Sequence, residues 1–101
     1  MAYLTIARIS GDPDTLLAGY QQSSGEMTEV GRDHGLILHA AAKTDEGLLI
    51  VNLWSSNDGS EAAARDQRRR DVIQQHGLKP DDFHREHHEV VGYVLFDGPQ
   101  P

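Results

Sequence analysis

Apolar positions in the stretch Gly47–Trp54, Gly-Leu-Leu-Ile-Val-Asn-Leu-Trp, fall at both odd and even places, so a strand formed here has no wet face. Both sides need cover. Helices of the same chain supply one side, whereas the other needs more material than 101 residues offer. A second copy of the protein is the simplest source. By parity, Ile50, Asn52 and Trp54 share one face and Leu49, Val51 and Leu53 the other. The aliphatic set suits a dry interface between copies, and the set with Asn52 and Trp54 suits a face turned toward helices.

The rest of the pattern predicts a simple element order. Ala2–Ile9 reads as a first strand ending at Ser10-Gly11. Asp12-Pro13-Asp14 then offers an N-cap followed by a proline at the first helical position. Leu16, Leu17, Tyr20, Met27, Val30 and His34 follow at helical spacing, interrupted at Gln21–Gly25, and Gly35 closes the helix. Leu36–Ala42 and Leu48–Trp54 are two more strands, joined by a hairpin-like Lys43–Gly47. Ser56–Ser60 can cap a second helix over Glu61–His76, which Gly77 and Pro80 stop. Glu89–Phe96 reads as the last strand. The order β-α-β-β-α-β predicts an α+β domain over residues 1–97, with a four-stranded antiparallel sheet and both helices on one face, the ferredoxin-like arrangement. Residues 98–101 read as a fraying tail.

Composition narrows the partners. Sixteen acidic and nine basic side chains leave a net charge of −7, and no basic stripe is interleaved with aromatics, which argues against nucleic acid and anionic membranes. The absence of cysteine removes disulfides, thiolate metal sites and a cysteine nucleophile. Neither a leader-like start nor a membrane-length apolar run is present, so a cytoplasmic protein is expected. A hydrophobic content of 38% is thin for a self-sufficient core, which again favours a homodimer.

Several residues can carry chemistry. His39 lies inside the second strand and is the first choice for a general base, with core or interface packing as the plainer role. Asn52 and Trp54 on the helix-facing side can meet a ligand or simply be satisfied within the core. The apolar stripe of the first helix passes from Tyr20 into Ser23 and Ser24, and the second helix carries Asp66 and Arg69 at mid-length. Those small and polar residues predict a wet pocket lined by Ser24, Asp66, Arg69, Asn52 and Trp54; otherwise Asp66 and Arg69 form a surface pair. His34 and His76 fit the C-terminal ends of helices. His84, His87 and His88 are the densest group of metal-ligand types, but a strand here would send His87 and His88 to opposite faces, so no metal is expected.

Gly47–Ser55, the capped helix after it and the closing Val90-Val91-Gly92-Tyr93 together resemble the dimeric α/β-barrel superfamily over nearly the whole chain. That resemblance implies two sheets closing face to face into one barrel, with the helices outside. In length the chain is similar to the antibiotic-biosynthesis-type monooxygenases of that superfamily, which implies oxidation of a planar aromatic or polyketide-like substrate without metal, flavin or other cofactor. Under that resemblance Trp54, Asn52, Tyr93 and Tyr20 would hold a planar phenol and His39 would take its proton. Haem-degrading relatives carry an Asn on the first strand and a Trp and His in the second helix; this chain has Ala7 before Arg8 and no tryptophan in that helix, which disfavours haem chemistry. Two alternatives stay open: a cyclase or isomerase using the same pocket, and a non-catalytic homodimer that binds a ligand or stabilises a partner.

Overall fold

A computed structural model describes residues 1–79 and 82–96. Its elements are β1 (Tyr3–Ser10), α1 (Pro13–Asp33), β2 (Leu36–Thr44), β3 (Gly47–Trp54), α2 (Asn57–Arg65), α3 (Gln67–Gln75) and β4 (Phe83–Glu89). The strands form one antiparallel sheet in the order β2-β3-β1-β4, the ferredoxin-like topology. The expected tail over residues 98–101 lies outside the described residues.

Local chemistry explains the boundaries. The Asp12 carboxylate accepts the Thr15 N–H at 3.0 Å and the Thr15 hydroxyl at 2.7 Å, and these bonds, the hydroxyl's first, draw its pKa below the ordinary value. Pro13 opens α1, which runs unbroken through the polar Gln21–Gly25 stretch. At the β2–β3 hairpin Gly47 has φ +153°, and a β-carbon there would run into the Ile9 carbonyl oxygen. Only glycine fits.

Two expectations about elements are corrected. The single second helix is two, bent at Asp66, whose extended backbone (φ −64°, ψ 131°) breaks the helix while its carboxylate accepts the Arg68 N–H at 2.9 Å and caps α3. Aspartate competes well as a cap and poorly as an interior residue, so the chain re-starts there. The fourth strand is Phe83–Glu89, not Glu89–Phe96. An edge strand pairs through its backbone on one side only, and β4 aligns with β1 from Ile9↔Phe83 to Tyr3↔Glu89 despite its charged sequence. Most of the apolar run after it is left exposed, with Val91 at 101% and Phe96 at 85%.

The helices cover one face of the sheet, where Val30, Trp54 and Ala63 form a buried cluster backed by Tyr3 and Leu36. Leu4, Ile6, Leu38, Ala40, Leu49 and Val51 point by parity to the other face, and Leu38 is exposed. Among the described residues only seven apolar side chains are buried, a small core for this length. No helix among them is long and apolar enough to cross a membrane.

Candidate active-site cavity

A cavity of about 440 Å³ separates the sheet from α1 and α3, within the range that takes a drug-sized ligand. Its floor is set by strand register. One row of helix-facing residues crosses all four strands as His39–Asn52–Thr5–His87, and the next as Ala41–Ile50–Ala7–Arg85. The row beyond runs Lys43–Leu48–Ile9–Phe83. A small residue in the middle row, Ala7, leaves space that the roof does not fill. The roof helps by thinning at mid-length: Ser23 donates its hydroxyl to the Gly19 carbonyl at 2.9 Å and Ser24 to that of Gln21 at 3.3 Å. Both serines are thus satisfied within α1, and neither reaches down to the sheet.

At the β2 edge the cavity holds a hydrogen-bonded chain. Asn52 Oδ1 lies 2.6 Å from His39 Nδ1, and Tyr20 Oη lies 2.7 Å from His39 Nε2. A carboxamide oxygen only accepts, so Nδ1 carries a proton; in the neutral imidazole Nε2 is then the acceptor and the Tyr20 hydroxyl donates to it. The Tyr20 and His39 rings stack at 5.8 Å with 14° between planes, which fixes the imidazole further. Such an arrangement places an imidazole where a substrate reaches it through a phenol. His39 is more exposed than its place within a strand suggested, because β2 is an edge strand and opens toward the cavity mouth.

Trp54 closes the far end and donates its indole N–H to Thr5 Oγ1 at 3.0 Å, so its polar edge is already used. Arg69 from α3 and Arg85 from β4 flank the Phe83 ring, their guanidinium carbons 6.0 and 5.6 Å from its centroid. Partial burial lowers the Arg85 guanidinium from its ordinary pKa.

Of the residues singled out by sequence, His39, Asn52, Trp54, Tyr20, Ser24 and Arg69 meet around this cavity. Asp66 and Tyr93 do not line it. Asp66 is turned outward into an ion-pair network, accepting from His34 Nε2 at 2.9 Å and from Arg68 at 2.8 and 3.0 Å, while Arg68 also reaches Asp33 at 2.9 Å. That network ties the end of α1 to the α2–α3 bend. The Arg68 fork first and His34 second hold the Asp66 carboxyl well below the usual carboxylate range, and Asp66 then Asp33 raise Arg68. Tyr93 sits on the exposed segment after β4.

His84 and His88 face the uncovered side of the sheet and His87 the cavity, so the three histidines do not converge on a metal. Among the described residues no group of three or more His, Asp or Glu side chains is placed to hold one. Phe83, Arg85 and His87 were missed as lining residues because the last strand was expected six residues later, and Thr5, on β1, because a threonine in a strand carries no signal of its own. The available signal was the alternation Phe-x-Arg-x-His at residues 83–87, a period of two written in polar residues.

No known protein family and no curated protein matches the sequence. Solved structures do match in fold. Rv0793 of Mycobacterium tuberculosis aligns with a TM-score of 0.71 at 14% identity, covering 94% of this chain and 100% of its own. A Streptomyces coelicolor monooxygenase from the gene ActVA-Orf6, solved with the ligand nanaomycin D, aligns at 0.66 and 14% identity over 95% of this chain and 92% of its own. A Chloroflexus aurantiacus protein named as an antibiotic biosynthesis monooxygenase gives 0.67 and 17% over 94% and 98%. The chain therefore has the ferredoxin-like fold found in antibiotic biosynthesis monooxygenase-like proteins.

Proposed function

We propose that this protein is a small-molecule enzyme of the cofactor-independent monooxygenase type, binding a planar aromatic or polyketide-like substrate between sheet and helices and working as a homodimer. The observation that carries this reading is the Asn52–His39–Tyr20 chain opening into an apolar cavity. Asn52 holds the imidazole in the tautomer with a free Nε2, and Tyr20 relays a proton from a substrate hydroxyl to it. Removing that proton makes the ring electron-rich enough to react with dioxygen; one oxygen atom enters the substrate and the other leaves as water, with the electrons drawn from the substrate itself. Ile50, Leu48 and Trp54 give a flat apolar surface for the rings. The fold shared with the nanaomycin D-bound monooxygenase supports the substrate class.

The dimer is supported by two uncovered apolar surfaces, the sheet face carrying Ile6, Leu49 and Val51 and the exposed Val91–Phe96 segment. Oxygen uptake with a hydroxyanthrone tests the activity. Turnover that consumes one dioxygen per anthrone and falls by about 10²–10⁴ in His39→Ala supports the reading; substrate consumed without oxygen uptake replaces it with the isomerase or cyclase reading, and no turnover with tight binding leaves a ligand-binding homodimer.

A further inference from the structure

The charge on this chain is strongly acidic, yet the cavity is cationic. Of the nine basic side chains, Arg8, Lys43 and Arg68 pair with carboxylates, and Arg32, Arg65, Arg70 and Lys79 are exposed to water. Arg69 and Arg85 are the two that line the cavity, and among the described residues neither has a carboxylate at ion-pair distance. Among the described residues, the acids nearest Arg69 in sequence are engaged elsewhere, Asp66 with His34 and Arg68 and Asp71 with Gln67, and so are those nearest Arg85. Glu86 points to the other face and pairs with Arg8 at 3.5 Å, and Asp82 accepts the Lys79 N–H at 3.0 Å. Arg69 gives one N–H to the Ala64 carbonyl at 3.4 Å, which leaves most of its fork of donors. Arg69 is half-buried and Arg85 exposed at the β4 edge of the cavity, so the two leave donors there that a bound anion can take up.

We infer that the substrate is an aromatic acid: Arg69 and Arg85 grip its carboxylate at the β4 edge while its hydroxyl meets Tyr20 and His39 at the β2 edge. This assignment rests on the aromatic-substrate reading above and narrows it. Geometry supports it in two ways. Both guanidinium carbons lie within 6.0 Å of the Phe83 centroid, so a planar acid can lie along that ring with its carboxylate between them. Three strand spacings of about 4.8 Å separate β2 from β4, so the hydroxyl and the carboxylate must stand at opposite ends of the ring system to meet both groups.

Calorimetric titration of the full chain with two dihydroxyanthraquinones, rhein and aloe-emodin, tests this, because they differ only in a carboxylate against a hydroxymethyl group. Rhein should bind about tenfold tighter or more, as charge-assisted hydrogen bonds to guanidinium are the strong ones. Arg69→Gln and Arg85→Gln should each shrink that preference, read as the ratio of the two affinities, to less than about threefold, and Arg65→Gln, at the exposed end of α2, should keep it. Equal binding of the two probes by the unmodified protein overturns the carboxylate anchor and leaves the aromatic cavity standing, a comparison that needs no variant to fold. If neither probe binds, the aromatic-cavity reading falls, and the anchor with it. A preference that survives the double variant also overturns it.

Discussion

Replacing Asn52 by leucine keeps the size of the side chain and deletes the acceptor that holds His39 Nδ1 at 2.6 Å. A neutral hydrogen bond of this kind contributes about 1 kcal/mol net, equivalent to about fivefold in the ratio of the two imidazole tautomers. Asn52→Leu should therefore move His39 from mostly Nδ1-protonated toward a mixture, whereas Asn52→Asp, which keeps an acceptor oxygen, should hold the Nδ1–H form. Long-range proton–nitrogen NMR correlations of the imidazole read the tautomer directly, and the His39 signals are those missing from His39→Gln. The same numbers separate two kinds of kinetic loss. If Asn52 acts only by fixing the tautomer, turnover in Asn52→Leu follows the fraction left in the Nδ1–H form and drops by at most about fivefold, far short of the 10²–10⁴ expected when the base itself is removed. An unmodified protein whose His39 is protonated on Nε2, or a tautomer ratio that ignores Asn52→Leu, would refute the relay.

Tyr20→Phe keeps the ring stacked on His39 but removes the donor, so turnover should fall about tenfold or more while affinity for an aromatic probe holds; an unchanged rate removes Tyr20 from proton transfer. Light scattering should give a mass near twice 11.2 kDa, and Val51→Glu, a charge placed on the uncovered face, should give a folded monomer; a monomeric unmodified protein contradicts the dimer. Gly47→Ala should cost about 2 kcal/mol or more in urea unfolding, since it combines a positive φ with a collision against the Ile9 carbonyl; a neutral effect would mean that the hairpin relaxes. For Asp66 the folded pKa lies below the unfolded one, so its contribution is present above about pH 4 and fades as pH falls through the folded value. Unfolding curves should show the advantage of the unmodified protein over Asp66→Asn shrinking between about pH 5 and pH 2, and a constant gap across that window would deny Asp66 the role.

Where polarity and structure agree, the sequence was readable. The run Gly47–Trp54, apolar on both faces but for Asn52, the Asp12-Pro13 helix start and the hairpin before Gly47 specify three strands, one long helix and their order with little ambiguity, because each is a local signal with one physical solution. Half of the site followed from the same logic. Parity on β3 brings Asn52 and Trp54 to the helices, and the switch from Tyr20 to serines leaves room above them. The register between β2 and β3, which sets His39 opposite Asn52, passes through an irregularity between Leu36 and Leu38 that no composition rule signals.

The instructive discrepancy is at the C-terminal end, where a polar segment takes the strand position and an apolar one is left outside. Sheet pairing asks β4 only for backbone donors and acceptors, so side-chain polarity at this edge is free to serve another purpose. Facing the cavity it places Phe83, Arg85 and His87; facing away, on the uncovered sheet face, it places His84 and Glu86 beside Arg8 and His88 opposite Leu4. Conversely, Val91 and Phe96 gain nothing from exposure, and their apolar surface is of use only against a further body. Both departures from local preference thus point outward from the single chain, the first toward the cavity and the second toward the surface on which the proposed dimer would form, which is where a sequence under functional demand departs from its folding pattern.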